Sequence, residues 1–454
     1  MNFTKKLILF AALSFPFFSC GKDEPSKPDA PQKPDEKPTE YYVNVTLRNT
    51  GEKLEGTYDI DYKAHEDAVI VKSNTAWTVS ASPSADWLKF EKGSTVLSYL
   101  KTSFNTTGKE RSATLTFSSV AGGKLAELVV RQSASDKIGK SDFMDMMLLE
   151  YDRTDIDYKG YLLYEKDGRV QWLFDAFCPG MGRYNGQTIG EGENACHLNK
   201  EQTTDILDTF FKDGEWLSRV NRIVSELKPK VPGKFVRKKI VISIPLIVND
   251  NWGELDGKEL HPSNEDAQGR ADRVAIAKWF VDETLKRFSE KDYENLQLIG
   301  FYWQEENGRI WEENGKSIAD YIHSYNLDFY WVPWYEAYNN TKWKDYGFDK
   351  AWLQPNYHFD ANATRQRLYD AYDKATANGM LLEMEWDNLK PLQKHIDYWD
   401  VYEEKGVLAD WPLTYYESGS MFPSRDNIID PDWKAFYERV AKYIADRQKK
   451  FYNY

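Results

Sequence analysis

From residue 140 to the end of the chain, strand-like apolar runs alternate with longer helical runs, and this alternation limits the fold more than any other feature. Strands are expected at 146–151, 170–177, 239–248, 295–303, 327–335, 348–357, 380–386 and 411–418, with helices at 202–227, 270–289, 316–325, 363–377, 391–404 and 431–449. About eight β/α units in a segment of this length suit a closed TIM (β/α)8 barrel. A doubly wound open sheet is the alternative. It is disfavoured because no Gly-rich turn follows the first strand, whereas polar residues stand at nearly every strand end.

In a TIM barrel the functional end is the rim formed by the C-termini of the strands. Side chains along each strand alternate between the barrel interior and the helix layer. In GMLLEMEWD (379–387), Leu382, Met384 and Trp386 share the face suited to helices, so Glu383, Glu385 and Asp387 turn inward. A lone ionised carboxylate in a dry core costs several kcal/mol, so this strand end is expected to open into a wet cavity. Structural ion pairs or caps are the bland alternative. In LQLIGFYWQEEN, Ile299, Phe301 and Trp303 read as outward, while Gly300, Tyr302, Gln304 and Glu306 read as inward. Glu305 then faces outward unless a bulge intervenes. The neighbouring strand ends add Trp331, Trp334, Tyr335 and Glu336, then Gln354, Asn356, Tyr357 and His358, and finally Tyr415, Tyr416 and Glu417. For His358, substrate contact and a structural hydrogen bond both stay open.

Carboxylates beside aromatic rings at one rim point to sugar chemistry. Rings stack on apolar sugar faces, and glycosidic cleavage needs two carboxyl groups flanking the bond, one protonated and one ionised. Glu306 is assigned as acid/base and Glu385 as nucleophile, with Glu383 as the fallback nucleophile. Tyr302, Trp334, Glu336, Gln354, Asn356, Tyr357, His358, Glu383, Asp387, Tyr416 and Glu417 are the expected substrate contacts. The segments GFYWQEE, WVPWYEAY, GFDKAWLQPNYHF and GMLLEMEWD together resemble one bacterial family of domains of unknown function, often attached to carbohydrate modules. The resemblance implies a TIM-barrel glycoside hydrolase-like domain, with an acid three residues after the Tyr-Trp pair, which is Glu306 here. It implies no particular substrate.

Ahead of the barrel, residues 42–135 read as short alternating strands separated by turn clusters, an all-β, immunoglobulin-like sandwich. Asn74, Trp77, Trp87-Leu88, Arg111-Ser112-Ala113 and Arg131-Gln132-Ser133 resemble the landmarks of the BACON domain of Bacteroidetes. That family was proposed to bind carbohydrate, although some members act as spacers. Trp77 and Trp87 are expected to pack inward. Residues 21–41 are rich in Pro, Lys and acids and are expected to form a disordered tether. Residues 1–20 carry a basic head, an apolar run of about 12 residues and Ser19-Cys20, the pattern of a signal peptide. The apolar run is shorter than the roughly 20 residues of a membrane-spanning helix. It resembles a bacterial lipoprotein signal with Cys20 as the lipidated residue. The following Gly21-Lys22-Asp23-Glu24 resembles the acidic tag that sends Bacteroidetes lipoproteins to the outer face of the outer membrane.

The remaining signals narrow the function by exclusion. A net charge of −13 argues against a nucleic-acid partner. No CxxC or HxxxH pair suggests a metal, no GxSxG elbow suggests a serine hydrolase, and GMGRYNG (180–186) has the wrong spacing for a nucleotide loop. No cofactor is expected. Cys178 and Cys196 flank one loop, and a disulfide between them is left open. The expectation is a lipid-anchored, outward-facing glycoside hydrolase of poly- or oligosaccharides, with retention expected from the two-carboxylate scheme. A surface protein that binds glycan without cutting it is the alternative.

Overall fold

The computed structural model describes residues 40–150, 154–180, 182–190, 195–308, 314–387, 390–418 and 421–453. Cys20, the signal segment and most of the tether lie outside them. Among the described residues, no helix is long and apolar enough to cross a membrane.

Two four-stranded sheets open the described chain. One runs in the order Val43–Leu47, His65–Ser73, Leu97–Thr102 and Leu88–Lys92. The other runs Gly56–Ile60, Lys124–Gln132, Arg111–Ser119 and Trp77–Ser82. Burial alternates along Arg111–Ser119, as a strand with one face on a core requires. Val69, Leu100, Phe117 and Val130 meet between the sheets. Trp77 packs edge-on to Phe90 and tilted against Phe117. Lys92 covers its ring at 3.7 Å, and Arg111 covers Trp87 at 4.6 Å.

The second body is a closed barrel of eight parallel strands in chain order. They are Asp145–Glu150, Ala176–Gly180, Lys238–Ile244, Leu296–Trp303, Asp328–Trp331, Lys350–Leu353, Leu381–Trp386 and Leu413–Glu417. Two expected elements divide differently. The run 170–177 gives the second barrel strand only its first two residues, Ala176 and Phe177. Its first part pairs back on Leu163–Lys166 as a hairpin, because Asp167 and Gly168 both take positive φ in a two-residue turn. The barrel strand begins only at Ala176. The helix expected at 202–227 is two helices, Lys200–Phe211 and Trp216–Leu227, parted where Gly214 adopts φ +83°.

The barrel floor is lined mainly by apolar and aromatic side chains. Phe143, Met146, Val241, Ile299, Tyr330 and Trp352 form one interior cluster, with Phe143 and Trp352 stacked at 5.9 Å. Ile299 corrects the expected parity of strand four. The pairing with strand three slips so that Ile240 faces Leu298 and Val241 faces Gly300. This bulge turns Ile299 inward, while Phe301 and Trp303 pack with the helix layer.

The sandwich docks on the αβ-loop end of the barrel. Asp292, the left-handed cap of helix Ala267–Lys291, accepts from Tyr62 OH at 2.6 Å. It also pairs with Lys63 at 2.8 Å and Lys137 at 2.6 Å. Partial burial works to raise the Asp292 pKa. The bonds from Lys137, Lys63 and Tyr62 outweigh it and hold the carboxyl down at about 2.

Candidate active site

The rim at the strand C-termini encloses an open cleft of about 990 Å³ to which all eight strands or the loops after them contribute. Strand seven supplies its acids. Leu382, Met384 and Trp386 are buried in the helix layer, so the period of two sends Glu383 and Glu385 inward. Glu383 borders the cleft at 2% exposure, and its Oε1 accepts from Thr414 Oγ1 at 3.4 Å. Burial, then the charges of Glu385 and Glu306, push its carboxyl well above the ordinary glutamate range.

Glu385 is fully buried and is not a lining residue of the cleft. Tyr398 OH, from helix Leu392–Glu404, donates a short hydrogen bond to its Oε2. Asn356 Nδ2 approaches its Oε1 at 3.4 Å. Burial raises the Glu385 pKa, the Tyr398 bond and backbone donors counter it, Glu306 adds to the rise, and the outcome is about 7. Behind Tyr398, the His358 ring stacks at 5.1 Å and lies 4.4 Å from His395. Burial pulls His358 down to about 3 and His395 to about 4, so this back wall is uncharged at neutral pH.

Strand four supplies Tyr302 on the cleft floor and, just past its end, Gln304 and the exposed Glu306. Glu305 also borders the cleft but is turned onto the outer side. Trp303 Nε1 lies 3.4 Å from its Oε2, and Trp331 Nε1 donates to its carbonyl at 2.8 Å. Half-buried Trp334 and Asn356 and buried Gln354 continue the wall. Asn356 takes φ +53°, and its Oδ1 accepts the Tyr335 N–H at 2.8 Å. Tyr416 and Glu417 close the ring from strand eight. Glu417 accepts from Tyr161 OH at 2.5 Å and from the Met421 N–H.

Four expected contacts sit elsewhere. Tyr357 is buried in the helix layer and donates to Asp397 at 2.8 Å. His358 lies behind Tyr398 as described. Both misplacements have one cause: strand six ends at Leu353 and the chain then turns through Asn356, so strand parity no longer applies. Glu336 is exposed in the turn after strand five and does not line the cleft. Asp387 is buried, with its N–H 3.2 Å from His395 Nε2, and is not a lining residue. Phe359 and Tyr398 are among the residues not anticipated. Phe359 lines the cleft at 47% exposure with its ring 6.0 Å from that of Tyr416. Tyr398, thirteen residues beyond Glu385 on a helix, carried no local signal. Cys178 and Cys196 are unbridged and buried, Cys178 inside the barrel beside Ser243 Oγ at 3.4 Å. Among the described residues, no group of three or more His, Cys, Asp or Glu side chains is placed to hold a metal ion.

No curated protein matches the chain. Among solved structures it is similar to a Bacteroides ovatus GH5 xyloglucanase in complex with a heptasaccharide, at 11% identity and TM-score 0.33, covering 90% of this chain and 100% of that one. It is also similar to a family 123 glycoside hydrolase from Clostridium perfringens, at 10% identity and TM-score 0.25, with 91% and 98% covered. A third is the type III pullulan hydrolase from Thermococcus kodakarensis, at 8% identity and TM-score 0.34, with 88% and 87% covered. Likenesses this distant carry no argument about chemistry. The family model described as "Domain of unknown function (DUF4855)" matches residues 148–442, and the chain belongs to that family.

Proposed function

We propose that the barrel hydrolyses glycosidic bonds with a carboxyl pair drawn from strands four and seven. The observation that carries the proposal is the cleft itself: Glu306 stands exposed at its mouth, and the strand-seven acids lie close enough for its charge to raise both of them. Glu306 serves as acid/base. Glu385 serves as nucleophile, because Tyr398 and Asn356 donate to it and so favour its ionised form. Among the described residues, Glu383 has the long Thr414 contact as its side-chain hydrogen bond and stays protonated. To reach an anomeric carbon, Glu385 must turn from Tyr398 toward the cleft. Retention is part of the proposal and corresponds to carboxyl groups about 5–5.5 Å apart in the working geometry.

Glycan binding without cleavage is the second reading, favoured by one fact: Glu385 has no exposed surface. The test is incubation with plant, host and microbial glycans, scoring new reducing ends. The Glu306→Gln and Glu385→Gln variants should bind but not cut. A Glu383→Gln variant that alone loses turnover moves the nucleophile one layer down. Binding without turnover by the unaltered protein on every glycan sinks the enzyme reading.

The N-terminal part of the proposal rests on sequence. Cys20 is lipidated, the protein sits on the outer membrane facing outward, and the immunoglobulin-like, BACON-like sandwich stands between tether and barrel. Incorporation of labelled palmitate that vanishes with Cys20→Ala is the expected result, and protease access on intact cells tests the orientation.

A further inference from the structure

The loop between strand six and helix Gln366–Ala377 holds one large apolar side chain out of the core. Asn356 and Tyr357 bring their backbone N–H groups to the Glu385 carboxylate. Tyr357 is buried and donates to Asp397 at 2.8 Å, and its carbonyl accepts from Lys394 at 2.6 Å. His358 is buried against the Tyr398 ring. On the far side, Asp360 is held by Arg367 at 3.0 Å and by the Asn362 N–H at 2.8 Å. Between these anchors Phe359 is turned out into the cleft. Its ring meets that of Tyr416, which is 40% exposed and also lines the cleft, at 6.0 Å between centroids and 65° between planes. Tyr416 belongs to strand eight, so the loop reaches across the end of strand seven, and the pair flanks the strand that carries Glu383 and Glu385. A lone exposed ring needs no explanation, but two in contact, drawn from separate elements and set in one cleft, make a surface built for a ligand.

Resting on the glycosidase reading, we propose that Phe359 and Tyr416 form a sugar-stacking subsite beside the bond that is cut, and that the glycan they take is a single soluble chain of pyranose units. A pyranose has a C–H-rich face and a rim of hydroxyls. The face packs on an aromatic ring, and the hydroxyls meet polar groups such as Asn356 and Ser418, which line the same cleft. The angle between the rings decides between forms of glycan. Rings so inclined cannot both lie against the flat face of a packed, insoluble glycan, whereas one chain that bends through an open cleft can meet both. The anchored loop favours the same role, because a ring fixed before binding costs the complex little ordering entropy.

The experiment is affinity electrophoresis of the full chain through gels that each hold one soluble polysaccharide: a mixed-linkage β-glucan, a xylan, a galactomannan or an α-glucan. Sedimentation with crystalline cellulose and with chitin powder is the second arm. At least one soluble polysaccharide should retard the chain, and neither powder should pull it down. Phe359→Ala should weaken that binding about five- to tenfold, in line with half a phenyl ring taken from water. Phe359→Tyr, which keeps the ring, should retain most of it, and Tyr416→Ala should weaken it several-fold. On a polysaccharide that is cut, the Phe359→Ala loss should appear mainly as a raised KM. Binding and KM unchanged in Phe359→Ala overturn the subsite, yet leave the glycosidase reading standing where the unaltered chain produces new reducing ends. Sedimentation with either powder overturns the single-chain part of the proposal. No retardation by any gel, together with no cleavage on the glycan panel, overturns both.

Discussion

The two ends of the barrel compensate their buried acids differently. At the strand N-termini, Asp145 has no exposed surface, and Arg447 lies 3.3 Å from it while Tyr415 OH and Gln448 donate to it at 2.7 and 2.6 Å. Burial raises its carboxyl and Asp175 adds to the rise, Arg447 and the two hydrogen bonds counter it, and the outcome is about 6. Beside it, Asp175 accepts from the backbone of Met144 and Asp145 and from Tyr452 OH. Lys238 and Lys239 stand close enough to feel its charge. At the C-terminal rim, Glu383 and Glu385 are as deeply buried, yet their hydrogen-bond partners are neutral hydroxyls and amides, and their charged neighbour in the cleft is Glu306. A buried acid set against a cation, as Asp145 is against Arg447, can hold a structure together even beside a second acid, whereas buried acids met in the cleft by like charge cost stability and are tolerable where chemistry needs a proton held near neutral pH.

The contrast is sharpest when one partner is removed from the paired end. Arg447 also donates to the carbonyls of Leu408, Met144 and Trp411. Arg447→Met should lower unfolding free energy by about 3–5 kcal/mol, since it strands a buried carboxylate and removes a donor from three carbonyls. Urea unfolding measures it. A loss under 1 kcal/mol, the range of exposed pairs, would mean the lower end is not held by this network.

The rim should respond in the other direction. Glu385 is raised to about 7, so its penalty is absent below the ordinary glutamate pKa, grows as pH rises, and is complete above about pH 7. Neutralising it with Glu385→Gln should therefore stabilise the protein at pH 8 by up to about 3 kcal/mol and leave it unchanged near pH 4, at the cost of any turnover. Parallel stability–pH curves for the two proteins would show that the carboxyl titrates normally.

These two ends differ just as much in how legible they are. The inward parity of Glu383 and Glu385 is readable because strand seven is regular, with three large apolar residues fixing its outer face. Strand four is readable only past its bulge, since nothing in LQLIGF marks the slip at Ile299. The loop after strand six defeats the same rule, which is why Tyr357 and His358 were expected in the cleft and lie outside it. The paired end leaves almost no local trace. Asp145, Asp175, Lys238 and Arg447 are scattered over some three hundred residues, and only closure of the barrel brings them together.

A smaller effect of the paired kind is expected where sandwich meets barrel. Asp292 is depressed to about 2, so its contribution is complete above the ordinary aspartate pKa and disappears as pH falls from about 4 through 2. Asp292→Asn should cost about 1–2 kcal/mol at pH 7, discounted for partial exposure, and nothing near pH 2. Unfolding that separates into two transitions in the variant would place the loss at the docking contact. A uniform loss with one transition would place it in the helix cap.

Tyr398 supplies the finest test of the rim. Its hydroxyl accepts from the Tyr357 N–H at 3.4 Å and donates its own hydrogen bond to Glu385, while the neutral His358 ring packs against its face. Tyr398→Phe keeps that packing and deletes one donor to the carboxylate. The pKa of Glu385 should then rise by about one unit, equivalent to about 1.4 kcal/mol. Carbon NMR of labelled glutamate reads that change directly. If the enzyme reading holds, the acid limb of kcat/KM should move up with it, because a nucleophile must be ionised. A purely structural tyrosine would lower stability at every pH and move neither curve. In that event Glu385 would not depend on its neutral partner for charge, and the distinction between the barrel's two ends would rest on Glu383 and Glu306 alone.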